Sequence, residues 1–182
     1  MIDKKELRRK IKNMRLMLSD AEKQTAADAA FARLEQCAAF LMAQNILMYH
    51  SLPDEMPTPA FLRKWAGKKR FFLPRVNGVN LDILPYEQTR LELGSFQIEE
   101  PTGDDLVDPA LLDLIVTPGV AFDRQGNRMG RGKGYYDRLL ATTRATKIGV
   151  AYHFQLVDTL PTEPHDVPMD AVITDQIALT FK

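Results

Sequence analysis

Residues 111–116 read LLDLIV, and residues 128–140 read RMGRGKGYYDRLL. The first run is short, apolar and rich in leucine, isoleucine and valine, which predicts a core strand. The second carries a turn in which Gly130, Gly132 and Gly134 alternate with Arg131 and Lys133. A helical pattern opens at Tyr135 and runs over 135–141. Another apolar run, KIGVA, follows at 147–151. Strand, glycine turn, helix and strand in that order suit a parallel sheet, because parallel neighbours need a crossover that a helix usually supplies.

The flanking sequence repeats the alternation. Leu7, Ile11, Met14 and Leu18 recur at helical spacing with Lys and Arg between them, which predicts a first amphipathic helix. Ser19 and Glu22 form a capping-box pattern that starts a second. Ala27, Phe31, Leu34, Ala38 and Leu41 give that helix its buried stripe, and Cys37 at its border reads as packing rather than chemistry. NILMY at 45–49 reads as a short buried strand, 51–56 as a loop, and Thr58 with Pro59 as the start of a helix through Trp65. Further strands are expected at 70–73, more weakly at 81–84, and at 171–174 (AVIT), whereas 85–108 looks irregular. The expected fold is α/β: a single three-layer αβα domain over residues 1–182 with a largely parallel (mixed) sheet, Rossmann-like in layout.

Composition narrows the function. The chain has 182 residues, 45% hydrophobic and 26% charged, enough to bury a core. Lys plus Arg and Asp plus Glu both number 24, so the net charge is zero, and a dedicated nucleic-acid binder usually needs a basic excess. The one cysteine rules out a disulfide within the chain. The charged first twelve residues lack a signal-peptide core, and no apolar run approaches the roughly 20 residues that span a bilayer. A cytoplasmic protein with small-molecule partners, no nucleic acid and no membrane is expected, with the oligomeric state left open, a monomer included.

The glycine turn points to an anion. Glycines admit positive φ and let a ligand approach the backbone, and successive N–H groups there can cradle a phosphate. Arg131 and Lys133 add full charges. The spacing matches neither the Gly-Lys-Ser/Thr phosphate loop nor the dinucleotide fingerprint. The plainer alternative is a flexible loop with solvated cations.

The run GRGKGYYDR, preceded by TPGVAFDRQGNRM, resembles the signature of 5-formyltetrahydrofolate cyclo-ligases. KKELR at 4–8, the 51–55 loop and PHDVPMDAVIT at 164–174 resemble further segments of that family, so the likeness runs from end to end; Met129 stands where leucine is more usual. The resemblance implies ATP- and Mg²⁺-dependent cyclisation of 5-formyltetrahydrofolate to 5,10-methenyltetrahydrofolate, with ATP as co-substrate. It implies ATP contacts from Lys4, Lys5, Glu6, Leu7 and Arg8, and from Arg128, Met129, Gly130, Arg131, Gly132, Lys133, Gly134, Tyr135 and Tyr136. Within the loop, Arg131 and Lys133 are the expected catalytic cations. His50, Glu55 and Tyr135 would contact the folate, and Asp137 and Asp170 would hold Mg²⁺. From spacing alone, Lys4 and Arg8 share a helix face and read rather as a solvated basic stripe, Asp170 rather as a turn residue, and Asp137 equally well as helix-start compensation. Phe72, Tyr86 and Trp65 suit core packing better than pterin stacking, and His153 and His165 read as ordinary strand-end and turn residues. Two rivals stay open at this point: an isomerase or transferase of phosphorylated sugars, and a non-catalytic nucleotide-binding module.

Overall fold

The computed structural model of the chain describes residues 3–87, 91–93 and 99–181. Helix α1 (Lys4–Leu16) is capped by Asp3, whose side chain accepts from the Lys5 N–H. Helix α2 (Asp20–Glu35) starts with the reciprocal Ser19–Glu22 capping box anticipated from the sequence. It stops sooner than expected: the Cys37 N–H turns back to the Leu34 carbonyl, and a separate helix α3 (Ala38–Met42) follows. The break rotates the face, so Phe40 is buried while Leu41, assigned to the buried stripe, is 59% exposed. Cys37 caps α3 and is half-buried.

Strand β1 (Asn45–Leu47) is shorter than the predicted 45–49, although the chain stays buried through Tyr49. Helix α4 (Pro59–Trp65) begins at the proline, as expected. Strands β2 (Arg70–Asn77) and β3 (Asn80–Pro85) form an antiparallel hairpin longer than anticipated. Part of the "irregular" stretch forms a small antiparallel pair, β4 (Leu91–Leu93) and β5 (Glu99–Pro101). Leu111 belongs to a 3-10 turn (Pro109–Leu111), and strand β6 (Leu114–Thr117) begins later than the apolar run does. The Asp113 carboxylate explains the delay: it accepts from the Gln44 and Asn45 N–H groups, at 3.0 and 2.9 Å, which ties the chain down ahead of the ladder.

A hairpin that no apolar pattern announces, β7 (Ala121–Asp123) and β8 (Arg128–Met129), precedes the glycine turn. Helix α5 (Tyr135–Leu140), strand β9 (Thr146–Ala151), the short β10 (Leu156–Val157), β11 (Ala171–Thr174) and the edge strand β12 (Ala178–Thr180) complete the chain.

The main sheet has seven strands in the order β12-β11-β9-β6-β1-β2-β3, parallel except for the two edges. Period-two alternation sends successive side chains to opposite faces. Ile46, Phe71, Val116, Ile148 and Ile173 face one layer with α2, α3 and α4. Leu47, Phe72, Ile115, Ala151 and Val172 face the other with α5. Phe122 of β7 packs on that second face, and a Cβ at Gly149 would lie 2.4 Å from its ring, so only glycine fits there. Helix α1 packs Leu7 and Ile11 on the β7–β8 hairpin rather than on the main sheet. The three-layer α/β arrangement matches the fold class read from the sequence. Phe72 is a core residue, and Trp65 and Tyr86, both partly buried, pack on the core edge.

Candidate active site

A cavity of about 730 Å³ opens where β1, β2 and β6 end. The carboxyl ends of parallel strands are the usual ligand sites of such sheets, because the connecting loops splay apart there. Its walls are the segment after β1, the Pro118–Gly119 corner after β6, the turn 128–137, the first turns of α1, and Glu163, His165 and Asp166.

Two of the three glycines in the turn carry positive φ, Gly132 at 100° and Gly134 at 73°. A side chain at either would be strained. Helix α5 has only six residues, so few peptide dipoles align and full charges must dominate the field. Arg8 donates through Nε to the Gly130 carbonyl at 3.0 Å, linking α1 to the turn. Arg128 is buried, donates to the Pro118 carbonyl at 2.7 Å and lies 5.2 Å over the Tyr136 ring. Burial lowers its pKa, while the Asp137 carboxylate, 3.9 Å away, pulls it back up. Arg138 donates to the Lys133 carbonyl at 2.8 Å and to the Val79 carbonyl, lashing the turn to the β2–β3 hairpin.

The segment after β1 is closed by its own hydrogen bonds. The Ser51 N–H donates to Thr58 Oγ1, and the Thr58 N–H returns a bond to Ser51 Oγ, at 3.0 and 3.1 Å. The Leu52 N–H donates to Glu55 Oε1 at 2.8 Å. Glu55 is nearly enclosed, and burial raises its pKa against the Leu52 bond and the charges of Arg131 and Arg15. Its neighbour Asp54 behaves oppositely. Burial pushes that pKa up, but Arg131 and Arg15 together hold it below the usual carboxylate range. Tyr49 and Tyr136 stay neutral phenols because burial, reinforced by Glu55, raises both.

The model of the 5-formyltetrahydrofolate cyclo-ligase family matches residues 1–175. The chain belongs to that family. It is 34% identical over 174 residues to 5-formyltetrahydrofolate cyclo-ligase of Escherichia coli K12, covering 90% of this chain and 96% of that one. It is 30% identical over 176 residues to the Haemophilus influenzae cyclo-ligase, covering 91% and 94%. The NMR structure of Aquifex aeolicus 5,10-methenyltetrahydrofolate synthetase superposes with a TM-score of 0.89 at 33% identity, covering 98% of this chain and 93% of that chain. The protein is therefore a ligase of folate chemistry, which sets aside both the sugar-phosphate enzyme and the non-catalytic module.

The cyclo-ligase cavity gathers most of the residues singled out in the sequence. Every residue from Arg128 to Asp137 lines it, as do Lys4, Arg8, His50 and Glu55. Three members of the N-terminal segment do not. Lys5 and Glu6 are exposed on α1, and Leu7 is buried against the β7–β8 hairpin, because one helix face alone can look into a cavity. Asp170 is also elsewhere. It sits at the amino end of β11, where its carboxylate accepts from the Lys147 N–H at 2.9 Å, while the cavity lies beyond the strands' carboxyl ends. Asp137 lines the cavity and Asp170 does not, and the described residues contain no cluster of three or more metal-binding side chains. Asp137 does suit a hard cation: it lines the cavity and accepts one long bond, 3.3 Å, from the Val167 N–H.

Sequence reasoning missed Arg15, Asp54 and Glu100. Glu100, on β5, lines the cavity and accepts from the Val76 N–H at 2.9 Å. Arg15 did leave a signal. It follows Leu7 and Ile11 at a spacing of four, so it completes the buried stripe of α1 with a cation.

Proposed function

We propose that this cyclo-ligase uses ATP with Mg²⁺ to convert 5-formyltetrahydrofolate to 5,10-methenyltetrahydrofolate, ADP and phosphate, and does so as a single domain spanning residues 1–182. One observation carries the reading: Lys4, Arg8, Arg128, Arg131 and Lys133 converge on the same cavity as the buried carboxylate of Glu55. A triphosphate needs such convergent cations, and a flat ring with N–H donors needs an acceptor fixed in place.

The formyl oxygen is a poor leaving group until it is phosphorylated. It attacks the γ-phosphorus, and ADP departs. N10 of the folate then attacks the activated formyl carbon, the carbon–oxygen bond breaks, and phosphate leaves with that oxygen while N10 loses its proton. Phosphoryl transfer depends on positioning and charge neutralisation more than on covalent help. Arg131 and Lys133 stabilise the charge on the transferring group, and Lys4 and Arg8 hold the remaining phosphates. Glu55, kept rigid by the Leu52 N–H, accepts from the pterin donors, with His50 and Tyr135 alongside. Asp137 would hold Mg²⁺ with phosphate oxygens and water, and the ion would neutralise phosphate charge.

The test is absorbance growth from methenyl-folate on mixing the protein with Mg-ATP and 5-formyltetrahydrofolate. The reading requires growth that stops when ATP or folate is omitted. No growth, or growth without ATP, overturns it.

A further inference from the structure

Arg15 lies on the buried face of α1 with its side chain 4% exposed. Its Nη2 donates to the Gly119 carbonyl at 2.7 Å and its Nη1 to Asp54 Oδ2 at 3.3 Å. The Gly119 carbonyl is also held by Gln155 Nε2 at 2.9 Å. On its other side Asp54 receives Arg131 Nη2, at 3.0 Å to Oδ1 and 3.2 Å to Oδ2. Glu55 Oε2 lies 3.8 Å from the same nitrogen. A continuous chain thus runs from the β6 corner through Arg15 and Asp54 to the cation of the glycine turn.

Stability alone is a poor reason for this chain. Replacing a buried ion pair by apolar residues of similar volume is often neutral or stabilising. Arg15 Nε moreover finds no hydrogen-bond partner among the described residues, which adds a cost. The Arg131 pair is half-exposed, and such pairs contribute little to folding. Orientation is a better reason. Arg131, 47% exposed on a glycine-rich turn, would otherwise sample many rotamers. Asp54 can fix it because Asp54 is itself held from behind by a buried cation.

We propose that Asp54, backed by Arg15, is a positioning residue that sets Arg131 for phosphoryl transfer and couples the 51–56 loop to the glycine turn. The inference rests on the function proposed above. Asp54 is not itself a cavity-lining residue; it acts through Arg131. Because Asp54 and Glu55 are consecutive, folate seated against Glu55 bears on the residue that aims the phosphate-facing cation.

The test is a double-mutant cycle on the full chain. Asp54→Asn keeps the shape and removes the charge. It is expected to lower kcat about 10-fold, with the KM for 5-formyltetrahydrofolate within about twofold and Mg-ADP affinity by calorimetry reduced. Asp54→Glu restores a carboxylate and is expected to recover much of the loss. In an Arg131→Ala background, Asp54→Asn is expected to cost almost nothing further. The same fold-loss from Asp54→Asn with Arg131 present or absent overturns the proposal, since a residue acting through Arg131 must fall silent without it. Unchanged kcat and Mg-ADP affinity in soluble, folded Asp54→Asn also overturns it. If Asp54→Asn does not fold, Arg15→Lys, which loosens the support behind Asp54, carries the same cycle against Arg131→Ala. A wild-type protein that makes no methenyl-folate overturns the parent reading instead, and the calorimetric cycle with Mg-ADP still decides the Asp54–Arg131 coupling.

Discussion

The glycine turn and the loop after β1 meet at the Arg131–Asp54 contact, yet they are held by opposite means. The turn owes its shape to what its residues lack. Gly132 and Gly134 adopt positive φ because they have no Cβ, and the turn's backbone is tied from the flanking helices, Arg8 donating to the Gly130 carbonyl and Arg138 to the Lys133 carbonyl. The loop owes its shape to what its residues carry: Ser51, Thr58 and Glu55 each bond a backbone N–H within a few residues. A turn held by conformational permission can adapt to a phosphate. A loop cross-tied by side chains presents a fixed carboxylate. A glycine backbone that yields against a rigid acceptor suits a flexible triphosphate and a flat ring respectively.

The largest effect should come from the turn. Arg131→Ala or Lys133→Ala is expected to cut kcat about 10²- to 10³-fold, the usual loss when one donor to developing charge is removed. Steady-state turnover with an unchanged thermal midpoint checks it, and normal activity in both variants would break the assignment of the turn to phosphate. Next comes the loop. Glu55→Gln keeps the Leu52 contact but removes the charge, and a loss of about 10- to 100-fold in folate-dependent turnover is expected, with ATP affinity nearly intact. A loss confined to ATP binding would reverse the roles given to the two walls. Third, Asp137→Asn should raise the Mg²⁺ concentration needed for half-maximal rate several-fold, since a neutral amide is a poor ligand for a hard cation. An unchanged Mg²⁺ titration would leave Asp137 as a partner of Arg128 and of the Val167 N–H.

Two stability measurements sharpen the contrast further. Gly134→Ala forces a Cβ into positive φ and to within 2.8 Å of Arg138 Nη1, and is expected to cost about 1–3 kcal/mol in denaturant unfolding. Ser51→Ala removes one bond of the reciprocal pair and should cost about 1 kcal/mol. The smallest signal is in pH. The Glu55 pKa is raised in the folded protein above its ordinary 4.5, so the folded state binds more protons in that window and stability falls as pH rises from 4.5 through the raised value. Glu55→Gln lacks this loss, so its stability relative to wild type should improve across the window and level off above it. For Asp54, whose pKa is lowered, stability is present above 3.8 and is lost as pH falls through the folded value.

The two walls also differed in how far they could be read before folding. The turn was legible because its pattern is local: glycines and cations alternate within a few residues. Its place after a hairpin was not, because β7 and β8 are three and two residues long and carry no periodicity. The loop gave up Glu55 only through resemblance, since an acid between two prolines has no signature of its own. Asp54 stayed silent because both its partners are distant in sequence, Arg15 by 39 residues and Arg131 by 77. The expected metal pair shows the converse. Asp137 and Asp170 both stand in family-like segments, yet only Asp137 lines the cavity, while Asp170 turns its carboxylate to the Lys147 N–H ahead of β11.

By itself the sequence determined the layer architecture, since alternation of apolar runs with amphipathic helices leaves few ways to bury both faces of a sheet. It also determined the glycine turn, whose glycines and charges are contiguous. The tertiary structure alone decided which members of each segment reach the cavity. A helix shows one face and a strand has two ends, so Lys4 and Arg8 enter while Lys5, Glu6 and Leu7 do not. It alone also joined Arg15, Asp54 and Arg131, because a buried charge takes its partner from whatever the fold brings near, and sequence distance carries no record of that.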